Sequence, residues 1–121
     1  MTSVLFVSPD PDLRAAATRV LTMAGCRVTA AAHAGHASLA CMENEAFEVL
    51  VVEGRMPDGS GQDIAGRLQR YCPAAQVVWM HDAALVPPPD DRAVVRPFTA
   101  YDLIGAVSDA THYARRGATI L

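Results

Sequence analysis

Residues 49–61 read VLVVEGRMPDGSG. The run opens with three valines and a leucine and shows no polar alternation, the pattern of a strand covered on both faces. One carboxylate follows, Glu53, and then a turn-rich stretch with Gly54, Pro57, Asp58, Gly59 and Gly61. Glu53 therefore stands where the chain leaves the core. Two other runs share the apolar character: residues 4–7 (VLFV) and 77–80 (VVWM). Weaker strand candidates are RVTAA from Arg27 and AVV from Ala93. Trp79 follows the apolar pattern of its run and reads as core.

Helical patterns separate the strands. Asp10 is placed to cap a helix and Pro11 suits its first position. Leu13, Ala16, Ala17, Val20, Leu21 and Ala24 then recur at helical spacing, with Gly25 as the stop. Residues 34–44 predict a helix of poor pattern. Ile64, Ala65, Leu68, Tyr71 and Cys72 predict another, ended by Pro73. Thr99 and Asp102 form a capping box for a last helix, with Leu103, Ile104, Val107, Ala110, Thr111 and Ala114 on one face and an end near Gly117. Strands alternating with helices argue for parallel βαβ units with right-handed crossovers.

In such a sheet the functional crevice opens beyond the carboxyl ends of the strands. Ser8, Pro9 and Asp10 come after the first strand, Glu53 ends the third, His81 and Asp82 follow the fourth, and Arg96 follows the fifth.

The bulk numbers bound the function. The 121 residues fit one domain, with a core over 3–114 and a short tail over 115–121. The chain is 51% hydrophobic and 19% charged, with a formal net charge of -3. An acidic balance disfavours broad nucleic-acid binding. No apolar run approaches the roughly 18 residues of a membrane span, and MTSVLFVSPD lacks a basic leader with an apolar stretch. A cytoplasmic protein is expected. Cys26, Cys41 and Cys72 are widely spaced with no CxxC pair, so reduced thiols are the default.

Three motifs, PDPDLR near the first helix, RMPDGSG after the third strand and RPF at 96–98 before the last helix, occur in an order that resembles the CheY-like receiver domains of bacterial response regulators. The resemblance covers residues 3 to about 114. It implies a flavodoxin-like (βα)5 three-layer α/β sandwich, with a parallel five-stranded sheet in the order 2-1-3-4-5. It also implies a site of five groups: two acidic residues holding Mg²⁺, an aspartate that accepts a phosphoryl group, a Thr or Ser, and a Lys. The chemistry is an aligned nucleophile with metal and cation neutralising phosphoryl charge.

All five matching positions differ here. Glu53 stands for the accepting aspartate, Ser8 and Pro9 for the acidic pair with Asp10 beside them, His81 for the Thr or Ser, and Arg96 for the Lys. Ser8 and Pro9 carry no charge, and Mg²⁺ demands near-octahedral oxygen ligands. Glu53 is one methylene longer than aspartate, a misplacement that can cost about a hundredfold in rate. Arg96 keeps the positive charge, and its planar fork pairs well with a carboxylate. The expectation is a fixed Glu53–Arg96 pair, no cofactor or metal, and no enzymatic activity. The alternative is a retained fold around a decayed site, with Glu53 an ordinary strand-end carboxylate.

Residues 82–95, DAALVPPPDDRAVV, occupy the interval where the family places a fourth helix and fifth strand. Pro87, Pro88 and Pro89 cannot sit in a helix interior and favour an extended conformation. The fourth helix is therefore expected to be one turn at most. The family's output face, formed by that helix, the fifth strand and the last helix, corresponds to Pro87, Pro88, Pro89, Ala93, Tyr101 and Ile104. Ala93 matches the family's aromatic switch position. A face so uncovered dimerises, binds a partner, or is covered by the proline segment itself.

His33 and His36, with Cys41 beyond, have too few ligands for a metal site and read as solvent-facing. DGSG lacks the spacing and lysine of a phosphate loop. His112 reads as a dipole partner near the end of the last helix. The reading is a stand-alone receiver that signals through protein–protein contact with a histidine kinase or another two-component protein. Its alternatives are a kinase inhibitor or sequestering adaptor, an unconventional phosphoacceptor using Asp10, Asp58 or His81, and a cysteine-based redox or metal sensor.

Overall fold

Strands and helices alternate through most of the chain, as the periodicity predicts. In order they are β1 (Thr2–Val7), α1 (Pro11–Met23), β2 (Cys26–Ala31), α2 (Ala34–Glu43), β3 (Val49–Glu53), β4 (Arg55–Met56), β5 (Gly59–Ser60), α3 (Gly61–Tyr71), β6 (Gln76–Asp82), β7 (Arg92–Arg96) and α4 (Ala100–Thr119). The computed structural model describes residues 2–44, 46–56, 59–82, 92–96 and 99–119; side chains at 82, 92, 95, 96, 114 and 116–119 are not described.

Five strands pair in parallel in the order β2-β1-β3-β6-β7, the order 2-1-3-4-5 when only the strands of this sheet are counted. β3 lies at its centre, and all five of its residues are buried. Unbroken apolar character is what a strand covered on both faces requires. β2 is an edge strand, and four of its first five residues alternate between half-buried and exposed, which is why its sequence signal is weak.

Side chains alternate across the sheet and build two cores. Leu5, Val7, Leu50, Val52 and Trp79 pack against α2 and α3. Val4, Phe6, Val49, Val51, Val78 and Met80 pack against α1 and α4. The result is a three-layer sandwich.

The caps follow the sequence. Asp10 Oδ1 accepts from the backbone N–H of Asp12 at 3.0 Å and of Leu13 at 3.3 Å. Thr99 and Asp102 exchange reciprocal bonds: Asp102 Oδ2 accepts from Thr99 N–H at 2.9 Å, and Thr99 Oγ1 accepts from Asp102 N–H at 3.2 Å. Ser60 Oγ caps α3 by accepting from Asp63 N–H at 3.1 Å.

Three features depart from the sequence expectations. α4 runs through Gly117 to Thr119, so the segment read as a tail continues the helix. His112 consequently lies inside α4, too far from its end to meet the terminal carbonyls. β4 and β5 form a two-residue antiparallel ladder, pairing Arg55 with Ser60 and Met56 with Gly59; two residues carry no periodicity to read. The interval between β6 and β7, residues 83–91, where at most one turn of a fourth helix is expected, lies outside the described residues. Pro87, Pro88 and Pro89 lie outside them, as does Asp58.

Candidate functional site

The parallel register brings the ends of four strands to one edge. Val7 lies beside Val52, Glu53 beside Met80, His81 beside Val95, and Asp82 beside Arg96. Ser8, Glu53, His81 and Arg96, distant in sequence, thus share the carboxyl edge of the sheet, where an open α/β fold places its ligands.

Ser8 is fully buried. Its N–H donates to the Ala31 carbonyl at 3.0 Å, which continues the β1–β2 ladder by one residue. Its carbonyl accepts from Arg14 Nη1 at 2.8 Å, and its hydroxyl accepts from Asp10 N–H at 3.2 Å. Arg14 therefore ties the first turn of α1 to the strand end, a role that its sequence spacing alone does not suggest. Pro9 and Asp10 are exposed, and the Asp10 carboxylate is directed at the amides of α1.

Glu53 is only 8% exposed. Beyond it Gly54 N–H donates to the Met80 carbonyl at 2.8 Å, and Gly61 N–H donates to the Gly54 carbonyl at 3.2 Å. The loop from Glu53 to α3 thus folds back onto the strand end. Gly61 sits against the Glu53 carbonyl so closely that a Cβ there would overlap it.

His81 is 5% exposed. Its ring lies on Gly54, where a Cβ would overlap Nδ1 and stand 2.6 Å from Cε1. The ring stacks beside Trp79, with centroids 6.3 Å apart and planes inclined by 27°. Among the described residues neither ring nitrogen of His81 has a hydrogen-bond partner, nor has Trp79 Nε1. The imidazole fills the space between the ends of β3 and β6. Arg96 is placed by its backbone at the end of β7; its side chain is among those not described.

The residues of the expected interaction face separate into two places. Ala93 and Tyr101 line one groove between β7 and α4, together with Asp102 and Asp109. Tyr101 is 87% exposed. Ile104 turns instead to the seam between α1 and α4, where it meets Val20, Met23 and Ala24. His33 and His36 are exposed and stacked, with centroids 4.5 Å apart. His33 Nδ1 accepts from His36 N–H at 3.3 Å and so caps α2. No group of three His, Cys, Asp or Glu residues placed to hold a metal ion occurs among the described residues.

Residues 4–85, more than half of the sequence, match the response regulator receiver domain. The chain belongs to the response regulator receiver family. Receivers are the modules of two-component signalling that work with histidine kinases or other signalling proteins. A solved response regulator receiver protein from Sinorhizobium medicae is 24% identical, with a TM-score of 0.82 over 93% of this chain and 96% of the other. A receiver domain from Clostridium thermocellum is 19% identical, with a TM-score of 0.84 over 96% and 98%. A CheY-like receiver from Methanospirillum hungatei is 19% identical, with a TM-score of 0.82 over 97% and 98%. At these identities the structures agree in fold. No curated protein matches the sequence closely enough to add to this. Among the described residues no helix is long and apolar enough to cross a membrane.

The residues of this receiver do not fit the Mg²⁺ that the family implies. The Asp10 carboxylate caps α1, the Ser8 hydroxyl accepts from a backbone amide, and Pro9 offers no side-chain ligand. Among the described side chains at the strand ends, Glu53 is then the one carboxylate left for an ion that the family holds with an acidic pair and the accepting aspartate.

Proposed function

We propose that this receiver signals by protein–protein contact without accepting a phosphoryl group. The observation that carries the reading is the buried His81 ring seated on Gly54 beside Glu53. A phosphoryl group at the end of β3 would need that volume, together with a metal site that these residues do not supply. Glu53 then acts as a fixed anion paired with Arg96, holding the strand ends in one state. A glutamate carries one negative charge where an acyl phosphate would carry nearly two. The partner is a histidine kinase or another two-component protein, and the chain is not an enzyme. The groove lined by Ala93 and Tyr101 is the contact surface, for a partner or for a second copy of the chain.

The deciding experiment is a time course of radiolabelled ATP with a candidate histidine kinase, with and without this protein, following label on both chains. The expected result is that this protein stays dark. Stable label on it would overturn the reading and direct attention to Asp58 or another acceptor. A fall in kinase label while this protein remains dark would identify an inhibitor acting through contact. The fixed pair has its own test in Glu53→Gln, which should lower stability by roughly 3 kcal/mol, the low end of the cost of breaking a buried ion pair. If stability and kinase binding are both unchanged, Glu53 is not a lock.

A further inference from the structure

The α2/α3 side of the sheet buries two thiols that the signalling reading does not use. Cys41 lies in the last turn of α2, and Cys72 follows the last residue of α3. Both are fully buried in the same core. Cys72 Sγ donates at 3.5 Å to the carbonyl of Asn44, the C-cap of α2 three residues beyond Cys41, so the end of α3 meets the end of α2 that carries Cys41. Cys26 is only half-buried and packs on the opposite side of the sheet, with the α1/α4 core.

We propose that Cys41 and Cys72 form a redox site, which hydrogen peroxide converts to a disulfide joining α2 to the end of α3. The step balances within the pair and the oxidant. One thiol gives up its proton and its sulfur attacks a peroxide oxygen, breaking the O–O bond. The products are a sulfenic acid and hydroxide, which takes up the proton as water. The second sulfur then displaces the sulfenic oxygen, which leaves with the second thiol proton as another water. Two thiols lose two electrons and two protons, and peroxide is reduced to two molecules of water. A disulfide needs Cα atoms about 4.4–6.8 Å apart, and the bond from Cys72 to the C-cap of α2 draws the two helix ends together within one core.

Burial sets the kinetics. It is the main cause that pushes the Cys41 thiol up to about 12, with the neighbouring Cys72 adding to it. The thiolate is the reactive form, so oxidation waits for a local opening of α2 against α3. The reaction is accordingly slow in native buffer and is accelerated by urea below the unfolding transition. The covalent loop contains β3, Glu53 and the whole of α3. Oxidation would therefore staple the segment that carries the strand-end carboxylate, whatever Glu53 itself does.

The test uses the full chain with all three cysteines. It is treated with hydrogen peroxide in native buffer, quenched by alkylation, digested and mapped by mass spectrometry. The expected product is lighter by two hydrogens and links the Cys41 and Cys72 peptides. Dithiothreitol should reverse the link, and the linked form should unfold at higher urea than the reduced form. Cys72→Ala should abolish both the link and the shift. The proposal is overturned if oxidation stops at Cys26, if Cys41 or Cys72 links to Cys26 instead, or if the link forms only above the unfolding midpoint.

Discussion

The two faces of the sheet are filled in different ways. On the α1/α4 face, Phe6, Val51, Val78 and Met80 meet Leu21, Leu103, Val107 and Ala110. Thr111, a buried polar side chain of α4, donates to the Val107 carbonyl at 2.8 Å. On the α2/α3 face the core includes two thiols and an indole, and His81 continues the line beyond Trp79. Here three ring nitrogens are buried with no hydrogen-bond partner among the described residues. Leaving such groups unsatisfied costs about 1–3 kcal/mol each. One face therefore supplies stability through plain hydrocarbon packing. The other carries an indole, an imidazole and two thiols, and of these Trp79 and His81 lie along β6 toward the strand ends where the candidate site is.

The largest expected effect belongs to the hydrocarbon face. Phe6 is fully buried in the second strand from the edge, between α1 and α4. Phe6→Ala should lower the unfolding free energy by about 4 kcal/mol, the sum of lost transfer energy and the cavity left behind. Urea unfolding followed by circular dichroism measures it. A loss below about 1 kcal/mol would mean that this face is not the principal source of stability, and the contrast between the faces would fail.

An intermediate effect probes the join between the polar face and the site. Gly54→Ala drives a methyl group into the His81 ring, and overpacking of this kind costs about 2 kcal/mol. In a His81→Ala background the same substitution should cost about 1 kcal/mol less, because the clashing ring is gone and only the Met80 carbonyl, 3.2 Å from a Cβ, stays close. The double-mutant cycle reads the coupling directly. Equal costs in the two backgrounds would show that the Gly54 backbone, and not the imidazole, sets the restriction, and would remove the observation on which the proposed function rests.

How much of this was legible in the sequence depends on the range of the interaction involved. Asp10 and Pro11 announced α1, and Thr99 with Asp102 announced α4, because caps are local and use residues a few positions apart. The VLVV run announced a doubly covered strand, and β3 is buried throughout. The strand ends could be placed because parallel order follows from alternation. The seating of His81 on Gly54, the bond from Arg14 to the Ser8 carbonyl and the meeting of Cys41 with Cys72 could not. Each depends on where two separate elements settle against each other, and no spacing encodes that. The end of α4 was misjudged for another reason. Gly117 is a helix stop only where the chain can turn, and here the helix carries on, with Arg115 Nε donating to Glu48 Oε2 at 3.1 Å.

The smallest expected effect is the most informative about the polar face. Trp79 is buried, and its indole N–H has no partner among the described residues. Trp79→Phe removes that donor along with part of the ring. The lost volume leaves a small cavity worth roughly 1 kcal/mol of destabilisation. Removing an unsatisfied buried donor returns a comparable amount. The two contributions oppose each other, so the net change should lie within about 1 kcal/mol of zero. This is far less than Phe6→Ala, although tryptophan is the larger side chain. The chain has one tryptophan, so the substitution also abolishes indole fluorescence, and circular dichroism must follow unfolding in both proteins. A loss above about 2 kcal/mol would mean that the indole N–H is satisfied in solution. The polar face would then be as well matched as the hydrocarbon one, and the asymmetry between the two cores would reduce to a difference in composition.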